Sequence, residues 1–174
     1  MSVLEDVPEV AELPTTPEDL FNVLEKLNIT YELFNHDPIF TVEEGRDLKL
    51  DIPGVSCRNL FLRDKKKNNF LITAANQTQI DLKTLPEKIG ASRLSFGSKD
   101  RLWELLGICP GSVCPFTVLN DKDHKVKIIL DQFMMESDLI NVHPLDNSMS
   151  VALTPDDLLK FLEFTGHEPQ ILAF

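Results

Sequence analysis

Apolar residues recur every three or four positions in three stretches of the chain. In PEDLFNVLEKL, Leu20, Phe21, Leu24 and Leu27 fall on one face of a helix. Thr16 is placed to cap it, Pro17 suits its first position, and Asp19 completes an approximate capping box. SKDRLWELLG repeats the pattern between a Ser98 cap and a Gly107 stop. The third helix starts at Thr154 and Pro155, carries Leu158, Leu159 and Leu162 on one face, and ends before Gly166. DLKTLPEKIG predicts a fourth helix, with Pro86 near its start or marking a break. In HDPIFTVEEG, Thr41 caps a short helix whose first turn holds Glu43 and Glu44; helix electrostatics alone explains two acids there.

Between the helices lie short apolar runs bounded by turn residues. YELF reads as a strand, and NLFLR with NFLITAA reads as a hairpin around the polar DKKKN turn. PFTVLN and VKIILD predict a second hairpin around DKDH, while LINVH and SVAL bracket the turn PLDNS. Without a steady βαβ rhythm, the fold class is α+β: a mixed, largely antiparallel sheet flanked by helices. Residues 1–14, with two prolines among alternating acids, predict a poorly ordered arm; residues 15–174 are expected to form one domain.

Charge adds a constraint. The net charge of −11 argues against non-specific nucleic-acid binding, which needs Lys and Arg to neutralise phosphates, and DNA is not an expected partner. The one basic concentration is Arg63 to Lys67, with Arg58 upstream, and a solvated turn is the plain reading of such a run. No apolar run approaches the ~20 residues that span a bilayer. The first residues carry acids where a secretory signal would carry bases, so a cytoplasmic protein without a membrane partner is expected.

GICPGSVCPF holds two of the three cysteines, but four residues separate Cys109 from Cys114. A redox pair wants C-x-x-C, and a zinc site wants a second ligand pair. The thiols therefore read as buried and inert, and neither metal nor organic cofactor is expected. The skeleton beneath them is Gly111, three residues, then Pro115, set between a helix stop and a supposed strand. Glycine lets backbone N–H groups approach a ligand, and proline fixes the way out. Such a loop can present donors to a developing oxyanion, although an ordinary helix-to-strand turn has the same spacing. His143 in NVHPLDN and His36 in HDPIF lie in comparable turns, while His124 and His167 read as exposed. Phe40 reads as wall or core, Trp103 as helix packing.

The ordered set HDPIFTVEEG, IPGVSCRNLFLRDKK, RLSFGS, LGICPGSVCPF, NVHPLDNSMS and DLLKFLEFTGHEP resembles one family. It is that of the free-standing prolyl-tRNA editing proteins, related to YbaK and to the editing domain inserted in bacterial prolyl-tRNA synthetases. The subgroup it resembles most is the Ala-tRNA(Pro) deacylases often called ProXp-ala; residues 16–170 are covered. The resemblance implies hydrolysis of the ester of mischarged tRNA(Pro), chiefly Ala-tRNA(Pro), by a water attack assisted by the substrate's ribose hydroxyl. It implies Gly111 and His143 as catalytic residues, and Arg58, Asn59, Thr41, His36, Pro115 and Asn147 as substrate-binding ones. Arg58 departs from the family pattern, which has lysine before Asn-Leu-Phe-Leu; the charge is kept with a bulkier fork. Arg63, Lys65, Lys66 and Lys67 are the expected tRNA contacts, with Arg58 in the same patch, and prolyl-tRNA synthetase is the expected delivering partner. The alternatives are a deacylase for seryl- or another small aminoacyl-tRNA, and a non-catalytic tRNA- or synthetase-binding module of the same fold.

Overall fold

The computed structural model describes residues 13–40 and 51–174. The expected helix after Thr41, with Glu43 and Glu44, lies outside the described residues, as does most of the arm. Leu13 and Pro14, assigned above to that arm, belong to the domain. Leu13 is buried in the main core, and Pro14 packs where a β-carbon on Gly107 would sit.

Helix α1 is Pro17–Lys26, and its Thr16–Asp19 capping box forms in full. Strand β1 (Glu32–Asn35) follows, then the long β2 (Val55–Asp64) and β3 (Asn69–Ala75). The short α2 (Leu85–Ile89) starts at Pro86's neighbour and stops at Gly90; β4 is Leu94–Phe96. Helix α3 (Lys99–Leu106) is capped by Ser98 and ended by Gly107, as its sequence predicts. Strand β5 (Val126–Asp131), the single turn α4 (Gln132–Met135), β6 (Ile140–Val142), β7 (Met149–Leu153), α5 (Pro155–Thr165) and β8 (Gln170–Leu172) complete the order.

The strands form one sheet in the order β1-β7-β6-β2-β3-β5-β8, with β4 added to the far part of β2. The β2–β3, β2–β4, β1–β7 and β6–β7 pairings are antiparallel; β2–β6, β3–β5 and β5–β8 are parallel. All seven residues of β3 are buried, the continuous apolar run expected of a strand covered on both faces. Side chains alternate between two cores. Phe61, Leu71 and Ala75 join α1, α3 and α5 on one face; Leu62, Phe70 and Ile72 join Leu85 of α2 on the other.

The second predicted hairpin does not form. Pro115–Asn120 is a 3₁₀ helix, and β5 pairs with β3 instead. Proline at its start donates no N–H to a ladder. Thr117 turns its hydroxyl onto the Cys114 carbonyl at 2.7 Å, and Asn120 Nδ2 donates to the Leu106 carbonyl at 2.8 Å. These local bonds offer the backbone an alternative to pairing. Pro115 therefore opens a tight helix rather than a strand.

Candidate functional site

Strands β2 and β6 run parallel for only two pairs, Val55–Ile140 and Ser56–Asn141. Beyond them β6 ends in the turn 143–148, and the same edge of β2 is not met again until β4 at Leu62. Crevices at the carboxyl ends of diverging parallel strands are favoured ligand sites. Three segments converge here: residues 36–40, the loop 107–116 and the turn 143–150.

The convergence is made of named bonds. His36 N–H donates to the Ser148 carbonyl (2.9 Å) and Ile39 N–H to the Asn147 carbonyl (3.0 Å). Asn147 Nδ2 donates back to the Ile39 carbonyl at 3.1 Å, so this buried amide clamps the first segment onto the turn. Asp146 orders the turn by accepting from the Ser148 N–H (2.8 Å) and hydroxyl (2.6 Å). Leu145, buried, holds φ +68°, a left-handed backbone unusual for leucine and of a kind that clusters at functional sites. Its N–H bonds the Cys114 thiol, joining the turn to the loop.

Gly111 is exposed at the loop's apex with φ +91°. A β-carbon there would lie 2.8 Å from Phe40 Cδ1 and 3.6 Å from Asn147 Nδ2. Both backbone angle and space thus require glycine. Ser112 N–H is committed to the Cys109 carbonyl at 3.2 Å. The N–H groups of Gly111 and Val113 make no hydrogen bond to the described residues. Burial raises the thiol of Cys114 to about 12 and also raises those of Cys57 and Cys109, so all three are poor nucleophiles at neutral pH.

His143 Nδ1 lies 2.9 Å from the Met149 carbonyl. A carbonyl only accepts, so Nδ1 carries the proton and Nε2 of the neutral ring is an acceptor. Burial is the main cause that holds its pKa below the ordinary imidazole value, with the nearby His36 acting in the same direction. The His36 ring lies 6.2 Å away, its Nδ1 donating to the Asp37 carbonyl (2.8 Å) and its Nε2 bonded to Ser150 Oγ (2.8 Å). His36 is thereby a fixed wall of the site.

The structure brings His36, Gly111, His143 and Asn147 into this assembly; Pro115 is buried at the start of the 3₁₀ helix that ends the loop, and Thr41 lies outside the described residues. Asn59 and Arg58 part company, since consecutive strand residues face opposite sides. Asn59 shares the face of Phe61, and its Oδ1 accepts from Thr73 Oγ1 at 2.7 Å. Arg58 shares the face of Leu60 and Leu62, and its fork donates to the carbonyls of Ala75 (2.6 Å), Asn76 (3.1 Å) and Thr78 (2.6 Å). Those three bonds cap the end of β3. Nor do Arg58 and Arg63–Lys67 form one patch. Lys65, Lys66 and Lys67 are exposed on the β2–β3 turn, about 13 Å or more along β2 beyond the stretch that edges the crevice, at 3.3 Å per residue.

Sequence reasoning missed Ser150, Asp146 and the strained Leu145, none of which has a distinctive local signature. It misplaced two aromatic groups. Phe40, read as wall or core, is 66% exposed. His167, read as exposed, is buried with Nε2 on Asp121 Oδ2 at 2.9 Å and Nδ1 on Thr165 Oγ1 at 2.9 Å. Among the described residues no three His, Cys, Asp or Glu side chains converge so as to hold a metal, and no helix is long and apolar enough to cross a membrane.

The Gly111 loop thus meets Phe40 and Asn147, and His143 meets His36, at one end of the sheet. Residues 36–161 match the aminoacyl-tRNA editing domain family. The chain belongs to that family, and is an aminoacyl-tRNA hydrolase. It is 41% identical over 145 residues to the prolyl-tRNA editing protein ProX of Acetoanaerobium sticklandii, covering 83% of this chain and 88% of the relative. It is 35% identical over 178 residues to prolyl-tRNA synthetase associated domain-containing protein 1 of Danio rerio, covering 99% and 97%. Among solved structures, a candidate trans-editing enzyme for prolyl tRNA synthetase superposes with TM-score 0.67 at 17% identity, covering 91% of this chain and 96% of that one.

Proposed function

We propose that this chain edits mischarged tRNA(Pro) in trans, cleaving the ester of Ala-tRNA(Pro). The observation that carries the reading is the Gly111 loop: an exposed apex next to Asn147 whose Gly111 and Val113 N–H groups make no hydrogen bond to the described residues, in a chain whose relative is named for prolyl-tRNA editing. A pocket sized for proline rejects the smaller alanine by only ~1–3 kcal/mol, so a second site that destroys the product is needed. Water adds to the ester carbonyl, the N–H groups of Gly111 and Val113 stabilise the oxyanion, and the C–O bond to the ribose breaks. The proton lost by water ends on the ribose oxygen, with the neighbouring hydroxyl as relay. Free alanine and uncharged tRNA result.

His143 supports this scheme as a positioning acceptor: its Nε2 receives a hydrogen bond from the α-ammonium of the aminoacyl group. Asn59, with its carbonyl end committed to Thr73, turns its amide donors away from that partner and toward substrate. Lys65, Lys66 and Lys67 lie too far from the crevice for the terminal nucleotide and are proposed to meet the helical acceptor stem, with prolyl-tRNA synthetase as the delivering partner. Arg58 supports the crevice from behind by holding the end of β3.

The test is a panel: tRNA(Pro) charged with alanine or proline, and tRNAs charged with serine or threonine, each incubated with the protein. The proposal expects loss of the alanyl ester and persistence of the prolyl ester. Preferential cleavage of seryl- or threonyl-tRNA would assign the chain to a sibling specificity.

A further inference from the structure

Positive charge gathers at the β2–β3 turn. Lys65, Lys66 and Lys67 stand exposed there, and one step past the Asp64–Leu94 pair the β2–β4 register sets exposed Arg93 across from Lys65. The one acid of the turn does not neutralise them. Asp64 is buried, its carboxylate accepting from the Asn68 N–H (2.8 Å), Asn68 Nδ2 (3.0 Å) and the Ser92 N–H (3.2 Å). Among the described residues none of these four cations forms an ion pair. Like charges held together without counter-charge attract an anion, here in a chain whose net charge is −11.

The first described residues lead to the same end of the sheet. Leu13 is buried in the main core, and Thr15 Oγ1 donates to Asn120 Oδ1 at 2.5 Å. The next residue along, Asp121, accepts the Val126 N–H on its carboxylate at 2.9 Å. Val126 is paired with Asn69, two residues from Lys67. The twelve residues before Leu13, MSVLEDVPEVAE, carry Glu5, Asp6, Glu9 and Glu12 and neither Lys nor Arg. Twelve residues reach up to about 40 Å, ample for the short path from Asn120 to the turn. We propose that this acidic arm docks on the basic β2–β3 turn of its own chain and must be displaced before another polyanion binds there. The contact needs nothing from the assignment of the crevice; that RNA is what displaces the arm rests on the reading of the chain as an editor of tRNA(Pro). Each exposed ion pair is weak alone. Tethering holds the arm at an effective concentration in the millimolar range, so a contact too weak to persist between separate chains stays occupied. The consequence is selectivity: an RNA that also engages the crevice outcompetes the arm, and a polyanion that meets the lysines alone does not.

The test neutralises the arm in the full chain, with Glu5→Gln, Asp6→Asn, Glu9→Gln and Glu12→Gln together, and follows lysine acetylation by mass spectrometry in dilute buffer. Lys65, Lys66 and Lys67 react about two- to fivefold faster in the variant, exposed Lys160 on α5 serves as an unchanged reference, and salt of about 0.5 M erases the difference. Equal reactivity in the two proteins, or a change as large at Lys160, overturns the proposal. Binding of an uncharged tRNA(Pro) minihelix gives the second readout. The neutralised arm strengthens it about two- to fivefold, and the gain disappears when Lys65→Gln, Lys66→Gln and Lys67→Gln are also present. A gain that survives without the lysines is general repulsion between two polyanions and rejects docking. If no minihelix bound to any of these proteins, the tRNA reading would fall, while the acetylation difference would still decide the place of the arm.

Discussion

At the scale of single residues, His143 decides how the site responds to pH. Its Nδ1 proton is given to the Met149 carbonyl and burial keeps the ring neutral, so Nε2 stays an acceptor down to a pH below the ordinary imidazole value of ~6.5. Deacylation should hold steady from pH 8 to about 6.5 and fall only on further acidification. His143→Ala should lose that acid limb together with at least about tenfold in kcat/KM, one hydrogen bond to a charged group being worth ~1.5–3 kcal/mol. A rate profile unchanged in the variant contradicts the role. Stability moves in the same sense. The unfolded chain takes up the proton first, so this group's contribution is complete above ~6.5 and declines as pH falls toward the lower folded value. Gly111 and His143 were legible as candidates because family motifs carry them and, for Gly111, because a loop flanked by turn residues hints at special backbone angles. The surroundings of Arg58 were not: nothing local says that its fork finds the carbonyls of Ala75, Asn76 and Thr78. The exposure of Phe40 was equally hidden, since an apolar letter after Ile39 reads as wall or core.

At the scale of elements, the capped helices and the β2–β3 hairpin follow from their patterns, because each is fixed by residues within a few positions of itself. The PFTVLN segment shows where that logic stops. Its composition suits a strand, but Pro115 brings no N–H to a ladder, Thr117 and Asn120 find partners in the preceding loop and in α3, and the segment winds instead. The strand β5 then needs another neighbour and takes the parallel place beside β3. What secures this rearranged corner is the buried pair of Asp121 and His167. Burial alone would raise the carboxyl's pKa, but His167 and the N–H groups of Lys125 and Val126 together hold it below the usual range. His167→Ala leaves that carboxylate buried without its side-chain partner, which costs about 3 kcal/mol, or roughly 6–12 °C in Tm for a chain of this size. Calorimetry checks it; a Tm within 2 °C of wild type, roughly the shift of under 1 kcal/mol, contradicts the pairing's importance.

At the scale of the whole molecule, the sheet divides labour between its ends. The split between β2 and β6 makes the crevice, and the far end of the same β2 carries the exposed lysines on a turn ordered by Asp64. A net charge of −11 leaves that turn as the chief positive feature among the motifs read from the sequence. The fold class and family were legible because ordered motifs survive as letters; the separation of Arg58 from the lysines was not, since spacing along a chain becomes distance only once a strand is known to run straight. The account's central claim is that loop amides, and not a thiol, act on the ester. The most direct measurement is single-turnover deacylation of Ala-tRNA(Pro) by Gly111→Ala and by Cys109→Ala, each with its circular dichroism recorded. The account predicts a fall of about 100-fold or more for Gly111→Ala, the scale of a displaced oxyanion donor, with folding intact, and an unchanged rate for Cys109→Ala. Full activity in Gly111→Ala, or its loss in Cys109→Ala, contradicts it.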